Sequence, residues 1–267
     1  MKKRWILLLL AALVIWVLWA NTAVEVNEWT LESDRLPQAF DGFRIAQVSD
    51  LHNAEFGEEN ETLLALLEEC APDIIVLTGD LVDSGHTDIS VALIFAEKAV
   101  AIAPCYYVSG NHESRIRQWP ALRQGLLDAG VMLLEDEAVC LERQGQTIRL
   151  AGLQDPAFGG NFSEKLKEVT EGEEYTILLS HRPELFDWYV SANADLVFSG
   201  HAHGGQFRIP FVGGIVAPGQ GFFPEYDSGL YQKENTVMLV SRGLGNSIIP
   251  LRFNNRPEII LAVLSAR

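Results

Sequence analysis

Cysteine is scarce and scattered. The chain has three, Cys70, Cys105 and Cys140, with no CxxC pair. That leaves no cysteine zinc site to expect, and an odd count gives no disulfide framework. The three thiols are expected to be free and buried. Positive charge is also in short supply: Lys plus Arg is 20 against 36 for Asp plus Glu, a net charge of -16. A surface this acidic repels nucleic-acid phosphates, so no nucleic-acid-binding surface is expected. A small phosphate substrate is repelled as well, unless bound metal ions invert the field locally. Internal repeats and low-complexity tracts are absent.

What is present begins with one long apolar run. Lys2, Lys3 and Arg4 precede an uninterrupted stretch from Trp5 to Ala20. As a helix it reaches about 24 Å, against about 30 Å for a hydrocarbon core, and Asn21 to Val24 extend it. Residues 1–24 are expected to be an uncleaved membrane anchor. A cleaved signal segment, giving a secreted protein, is the alternative, and a buried helix is a third. The candidate cleavage site at Ala23 has Asn21 where a small residue is needed. The three cations should stay cytoplasmic, which places the rest of the chain on the extracytoplasmic side of the cell membrane.

The remaining chain, out of 267 residues, suits one large domain or at most two small ones. Residues 25–42 are polar and acidic and read as a linker and entry segment. From Phe43 a rhythm begins. Strands are expected at 43–49, 73–78 and 105–109, alternating with helices at 58–70, 89–103 and 119–129. Such alternation implies βαβ units and a largely parallel sheet. The second half differs. Strands at 138–142 and 147–153 flank Gln144-Gly145, a hairpin turn. Further strands are expected at 175–179, 196–198, 207–209, 236–240 and 259–263, with few helices between. The fold class is α/β, with two sheets, one per half, in a single domain. The segment 204–231 is long and rich in glycine, proline and aromatic residues, and such stretches are functional or disordered. Its aromatic content argues against disorder.

Histidine carries the chemical signal. Of His52, His86, His112, His181, His201 and His203, five follow the end of an expected strand in a short polar loop. The carboxyl ends of strands in α/β sheets are where sites form. Asp50-Leu-His52 follows the first strand, and alternation lets carboxylate and imidazole converge. Gly79-Asp80 follows the second, Gly110-Asn111-His112-Glu113 the third, Ser180-His181 the fourth and Gly200-His201-Ala-His203 the fifth. Each motif alone is more often a turn than a site. Their ordered recurrence at successive strand ends is what argues for chemistry. Together they offer two Asp, one Asn and four His as ligands, with a fifth His left over. A mixed nitrogen and oxygen set suits Mn, Fe or Zn rather than Ca or Mg. Seven ligands are too many for one tetrahedral ion and suit two ions sharing a carboxylate. Two ions about 3.5–4 Å apart clamp the attacking and leaving oxygens of a phosphoryl transfer, with a bridging water acidified into the nucleophile.

These five motifs resemble those of the calcineurin-like metallophosphoesterases, and the likeness runs from about Phe43 to the C-terminus. The resemblance implies a two-sheet sandwich flanked by helices, with residues 43–267 as the metallophosphoesterase domain. It also implies one metal held by Asp50, His52, Asp80 and His203, and a second held by Asp80, Asn111, His181 and His201. Asp80 would bridge them, and His112 would act as general acid or stabilise the transition state. Gly200 to Gln206, Pro224 to Tyr231 and Ser241 to Gly245 resemble the membrane-anchored branch of the superfamily. Members of that branch include phosphodiesterases and hydrolases of UDP-2,3-diacylglucosamine. The expected activity is phosphodiester hydrolysis by a metal-bridging hydroxide, on a substrate that is lipid-linked in one version. Pyrophosphate hydrolysis of a nucleotide-lipid is the first alternative. A non-catalytic metal-binding scaffold is the second.

Weaker candidates remain. Asp83 either orients a ligand by a hydrogen bond or serves a turn. Glu113 either orients His112 or is a solvated loop charge. His86 touches substrate or is simply exposed. Arg242 and Arg252 clamp a phosphate or form structural ion pairs. Phe222, Phe223 and Tyr226 form a lid, dip into lipid or pack within the loop. Asn60-Glu-Thr62 fits a glycosylation sequon but reads as a helix start.

Overall fold

The computed structural model describes residues 2–246 and 250–267, with the backbone alone for Lys2, Lys3 and Leu9. The side chains of two of the three N-terminal cations therefore lie outside the described residues. The Leu- and Ala-rich run without a breaker forms α1 (Lys2–Thr22). It is long and apolar enough to cross a membrane. Its apolar side chains, from Trp5 to Trp19, are mostly exposed rather than packed on the domain.

The first sheet is built from β1 (Glu25–Ser33), β2 (Arg44–Val48), β3 (Ile74–Thr78), β4 (Cys105–Val108) and β5 (Met132–Leu133). Helices α2 (Glu61–Glu69), α3 (Ile89–Val100) and α4 (Trp119–Asp128) cross between its parallel strands. The second sheet contains β6 (Glu137–Arg143) and β7 (Gln146–Gly152), joined by the turn expected at Gln144-Gly145. It continues through α5 (Phe162–Thr170), β8 (Thr176–Leu179), α6 (Phe186–Ser191) and β9 (Leu196–Ser199). Two short hairpins follow, β10 (Arg208–Ile209) with β11 (Gly213–Gly214) and β12 (Val216–Ala217) with β13 (Gly221–Phe222). Last come β14 (Gly229–Lys233) and β15 (Thr236–Val240), which complete the second sheet, and β16 (Glu258–Ala266), which returns to the first. The sheet orders are β1-β16-β2-β3-β4-β5 and β14-β15-β9-β8-β7-β6.

The layers follow from the two-residue period of the strands. Ile45, Val76 and Val108 point inward to Leu150, Ile177 and Phe198 of the facing sheet. Their neighbours Ala46, Leu77 and Tyr107 point outward to Leu63, Phe95 and Leu122 of the first helical layer. On the far side Leu178 and Val197 meet Leu166 and Phe186 of the second helical layer. The central parallel strands are buried on both faces and so read as continuous apolar runs.

Three expectations need correction. Residues 25–33 are not linker: they form β1, paired in parallel with β16 along nine residues. The two sheets do not divide one per half, because the C-terminal β16 inserts between β1 and β2. Cys140 is exposed, because β6 is an edge strand and its outer positions face water; Cys70 and Cys105 are buried.

Candidate metal centre

Five parallel strands, β2, β3, β4, β8 and β9, end at one edge of the sandwich. The loops that leave those ends carry Asp50 and His52, Asp80, Asn111 and His112, His181, and His201 and His203. The backbone turns sharply there: Asp50, His52, Asp80, His201 and His203 all have positive φ, between 46° and 64°. Such conformations cost non-glycine residues of order 1–3 kcal/mol each and cluster at functional sites. Two glycines allow the loops to close on one another. A Cβ at Gly110 would strike the Asp80 carboxylate, and one at Gly200 would strike Ser49 and the Asp50 carboxylate.

The side chains converge in two nests. In the first, His52 Nε2 lies 3.2 Å from His203 Nε2. Asp50 Oδ1 is 3.4 Å from His203 Nε2 and 3.8 Å from His52 Nε2. In the second, His181 Nε2 lies 3.1 Å from His201 Nδ1 and 3.1 Å from Asp80 Oδ2. The same Asp80 Oδ2 is 3.7 Å from His52 Nε2, so one oxygen faces both nests. Asp80 Oδ1 is turned away and accepts the His112 N–H at 2.8 Å. Among the described residues, Asn111 Oδ1 is buried without a hydrogen-bond partner. All seven residues are at most 6% exposed.

These residues fit a pair of cations. Atoms about 2.0–2.2 Å from one ion stand about 3–3.6 Å apart around it, and the separations given for the nests, 3.1 to 3.8 Å, lie close to that. The Asn111 oxygen has no partner among the described residues to satisfy it. His181 Nδ1–H donates to the Thr78 carbonyl at 2.7 Å, leaving the Nε2 lone pair directed into the nest. Burial opposes ionisation of Asp50 and Asp80, yet the facing imidazoles hold both carboxyls below the usual range. Burial pushes His203 down to about 3 and drives His201 low as well. Ionised carboxylates and neutral imidazoles are the states that bind metal. His181 and His52 go the other way: despite burial, Asp80 pulls His181 well up, and Asp50 and Asp80 raise His52. That spot favours positive charge.

His112 stands beside the nests, grouped with His52 and Asp80, its ring 4.6 Å from that of His52. Its Nδ1 accepts the Ser84 N–H at 2.9 Å, so the ring proton belongs on Nε2. Burial lowers its pKa. Glu113 neither orients the His112 ring nor meets solvent. It is buried and accepts the N–H groups of Asp80, Leu81 and Gly110. Asp83 lies 3.6 Å from His52 Nδ1 and 3.8 Å from His112 Nδ1, beyond hydrogen-bond reach. Its Oδ1 instead holds the turn at Gly85 and His86. His86 is exposed. Arg242 is ion-paired with Glu25 and Glu258. Arg252 is buried and donates to the Arg242 and Gly245 carbonyls. Phe222 and Phe223 are exposed, whereas Tyr226 packs on Phe186 and Tyr231. Asn60 is buried and precedes α2 directly, accepting the Phe56 N–H.

The nests open into a cleft of about 450 Å³ lined by Asp80, Asn111, His112, His201 and His203. Arg115, Arg182, Gln206 and the segment from Val216 to Gly219 complete its walls. The two arginines escaped notice in the sequence, although each follows closely on a ligand motif at a strand end. Arg182 is gripped bidentately by Asp155, at 2.7 and 3.0 Å. Arg115 is exposed. The Ser241–Gly245 motif braces the site from behind: the Gly245 N–H donates to the Asp50 carbonyl at 2.7 Å.

The family model for calcineurin-like phosphoesterase matches residues 43–205. The chain belongs to the calcineurin-like phosphoesterase family. Members of this family are metal-dependent phosphoester hydrolases, and this chain is one by the same assignment. It is 32% identical to YkuE, an uncharacterized metallophosphoesterase of Bacillus subtilis, over 91% of this chain and 86% of that protein. It is 31% identical to a Bos taurus transmembrane protein with a metallophosphoesterase domain, covering 87% of this chain and 55% of that protein. The phosphodiesterase YaeI of Escherichia coli is 28% identical, over 83% of this chain and 82% of that protein. Among solved structures, TT1561 of Thermus thermophilus superposes with a TM-score of 0.52 at 15% identity, over 76% of this chain and 90% of that one, a likeness of fold.

Proposed function

We propose that the chain is a two-metal phosphodiesterase anchored by α1, with its cleft on the extracytoplasmic side. Asp50, His52, Asp80 and His203 hold one ion; Asp80, Asn111, His181 and His201 hold the other. The single observation that carries this reading is Asp80 Oδ2, which faces His52 on one side and His181 on the other. The mixed donor set suits Mn, Fe or Zn. When bound, the pair of ions supplies an acidified water and neutralises charge on the phosphoryl oxygens.

The protein's own residues do the rest. His112 presents Nε2–H to the cleft, with Nδ1 fixed by Ser84, and donates that proton to the departing oxygen. Arg115 and Arg182 face the same cleft and bind the non-bridging oxygens. Glu113 ties the Asp80 and Gly110 loops together, so the ligand loops move as one unit. Val216 to Gly219 wall off bulk water. A diester is favoured because the relative YaeI is named a phosphodiesterase. A pyrophosphate in a nucleotide-lipid is the rival substrate, separated by assaying an aryl phosphodiester beside a UDP-linked lipid.

The reading predicts distinct outcomes for two variants. Asp80→Ala loses both ions, whereas His112→Ala keeps them and loses about 10²–10⁴ in kcat. Metal analysis paired with turnover is the measurement. Two ions retained in Asp80→Ala would sink the assignment, and a metal-loaded protein that turns over no phosphoester, with His112→Ala changing nothing, would favour a non-catalytic scaffold. N-terminal sequencing of membrane-extracted protein tests the anchor; a start near Val24 would mean cleavage.

A further inference from the structure

The last turns of α1 are not loosely tethered. Asn21 exchanges hydrogen bonds with the Arg252 backbone, donating at 3.0 Å and accepting at 2.7 Å. Trp16 meets Phe253 edge-on at 5.2 Å, and the Arg256 guanidinium lies over the Trp19 ring at 4.6 Å. Ala20 is buried in the join. Segment 251–256 in turn pairs with the first short hairpin: Phe207 bridges to Phe253, and the Arg208 N–H donates to the Phe253 carbonyl at 3.0 Å. The helix exit, segment 251–256 and the β10–β11 hairpin therefore form one connected face.

That face is apolar and uncovered. Ile209, Phe211, Val212, Leu251 and Phe253 are all exposed large hydrophobic residues. Phe211 at the hairpin tip is 109% exposed and adopts φ 68°, so it is thrust outward in a conformation its own packing does not repay. A contiguous apolar surface of this kind marks an interaction site. The placement says with what. If α1 crosses the bilayer, Trp16 and Trp19 in its last turns lie at the interface level that such rings favour, and the hairpin is linked to that level through Phe253.

We infer that the β10–β11 hairpin and segment 251–253 insert their apolar side chains into the headgroup and acyl boundary of the membrane that α1 spans. This rests on the anchor reading above and deepens it. A net charge of -16 gives no attraction to anionic lipid, so the docking is apolar and insensitive to salt. The consequence reaches the site. From β11 the chain runs through Ile215 directly into Val216–Gly219, one wall of the metal cleft. The cleft is thereby held beside the lipid surface. The substrate class it serves is an amphiphilic phosphoester whose tail stays in the bilayer while its phosphate enters the cleft.

The test uses the full chain reconstituted in phosphatidylcholine vesicles, with a polarity-sensitive fluorophore on single cysteines and doxyl-labelled lipids as quenchers. Phe211→Cys and Leu8→Cys are made in a Cys140→Ser background, and native Cys140 on the edge strand β6 is the comparison label. Strong quenching at Phe211→Cys, unchanged by added salt, supports the proposal. Quenching there no greater than at Cys140, with Leu8→Cys deeply quenched, overturns it and leaves the anchor standing. Absence of quenching at Leu8→Cys as well overturns the anchor and the docking together. A kinetic arm reads the consequence: Phe211→Asp with Val212→Asp lowers turnover of a bilayer-embedded phosphodiester by at least about tenfold and leaves a water-soluble aryl phosphodiester unchanged. Equal effects on both substrates overturn the link between docking and substrate.

Discussion

Glu113 shows how much a single buried side chain can organise. It has no exposed surface, and its two oxygens accept three backbone N–H groups from two different strand-end loops. Burial, followed by the charge of Asp80, pushes its pKa up to about 7. A glutamine has the same shape but only one accepting oxygen, and its amide would face an N–H donor. Glu113→Gln should therefore strand at least one buried N–H and lower stability by about 1–3 kcal/mol. Urea unfolding of the metal-free protein would register this as a lower midpoint at unchanged slope, and metal titration should show weaker binding. A variant with wild-type midpoint and affinity would show that the loops hold without it. The ligand motifs were legible from sequence because each one is local: a carboxylate or imidazole placed just past a strand. The task of Glu113 was not, because its partners at Asp80 and Leu81 lie in a different loop. Arg182 and Arg115 were missed for the same reason, since only the folded cleft shows what they face.

Elements differ in how openly the sequence declares them. The central strands and α2 to α4 are evident because their apolar residues repeat with the right period and are buried accordingly. The strand β1 hid behind its composition. Its inward positions include Glu25 and Asn27, and Glu25 is satisfied there by Arg242 and Arg256. An ion pair made across more than two hundred residues leaves no local trace. The helix α5 did leave one. Asn161 caps it and also exchanges a hydrogen bond with Glu164, a capping-box pattern readable three residues apart. The place of β16 beside β1 rests on non-local pairing, which no local pattern specifies. Leu31 separates strand from linker experimentally. It is 6% exposed and packs in the core between the sheets. Leu31→Ala should cost about 2–5 kcal/mol if β1 is integral to that core. A change within about 0.5 kcal/mol, the usual surface value, would return residues 25–33 to the status of a linker.

At the scale of the whole molecule, a strongly acidic body surrounds a site for anions. The net charge of -16 repels a phosphoester at long range, and two divalent ions would leave the sum well below zero. Near the cleft the sign would differ with the ions bound, since two divalent cations outweigh Asp50 and Asp80 there and Arg115 and Arg182 add to them. Ionic strength separates these two fields. The screening length is about 30 Å at 0.01 M salt and about 8 Å at 0.15 M. At low salt the approaching substrate feels the whole body; near physiological salt it feels mainly the cleft. For a water-soluble anionic diester, kcat/KM should rise by a few-fold as salt increases over that range, with kcat nearly constant, because screening acts on encounter rather than chemistry. Arg115→Ala should lower kcat/KM throughout and leave the upward slope intact, since it alters the cleft and hardly changes the sum. A kcat/KM that falls steadily with salt would mean that the local positive field governs approach from the start. The acidic surface would then be irrelevant to substrate capture.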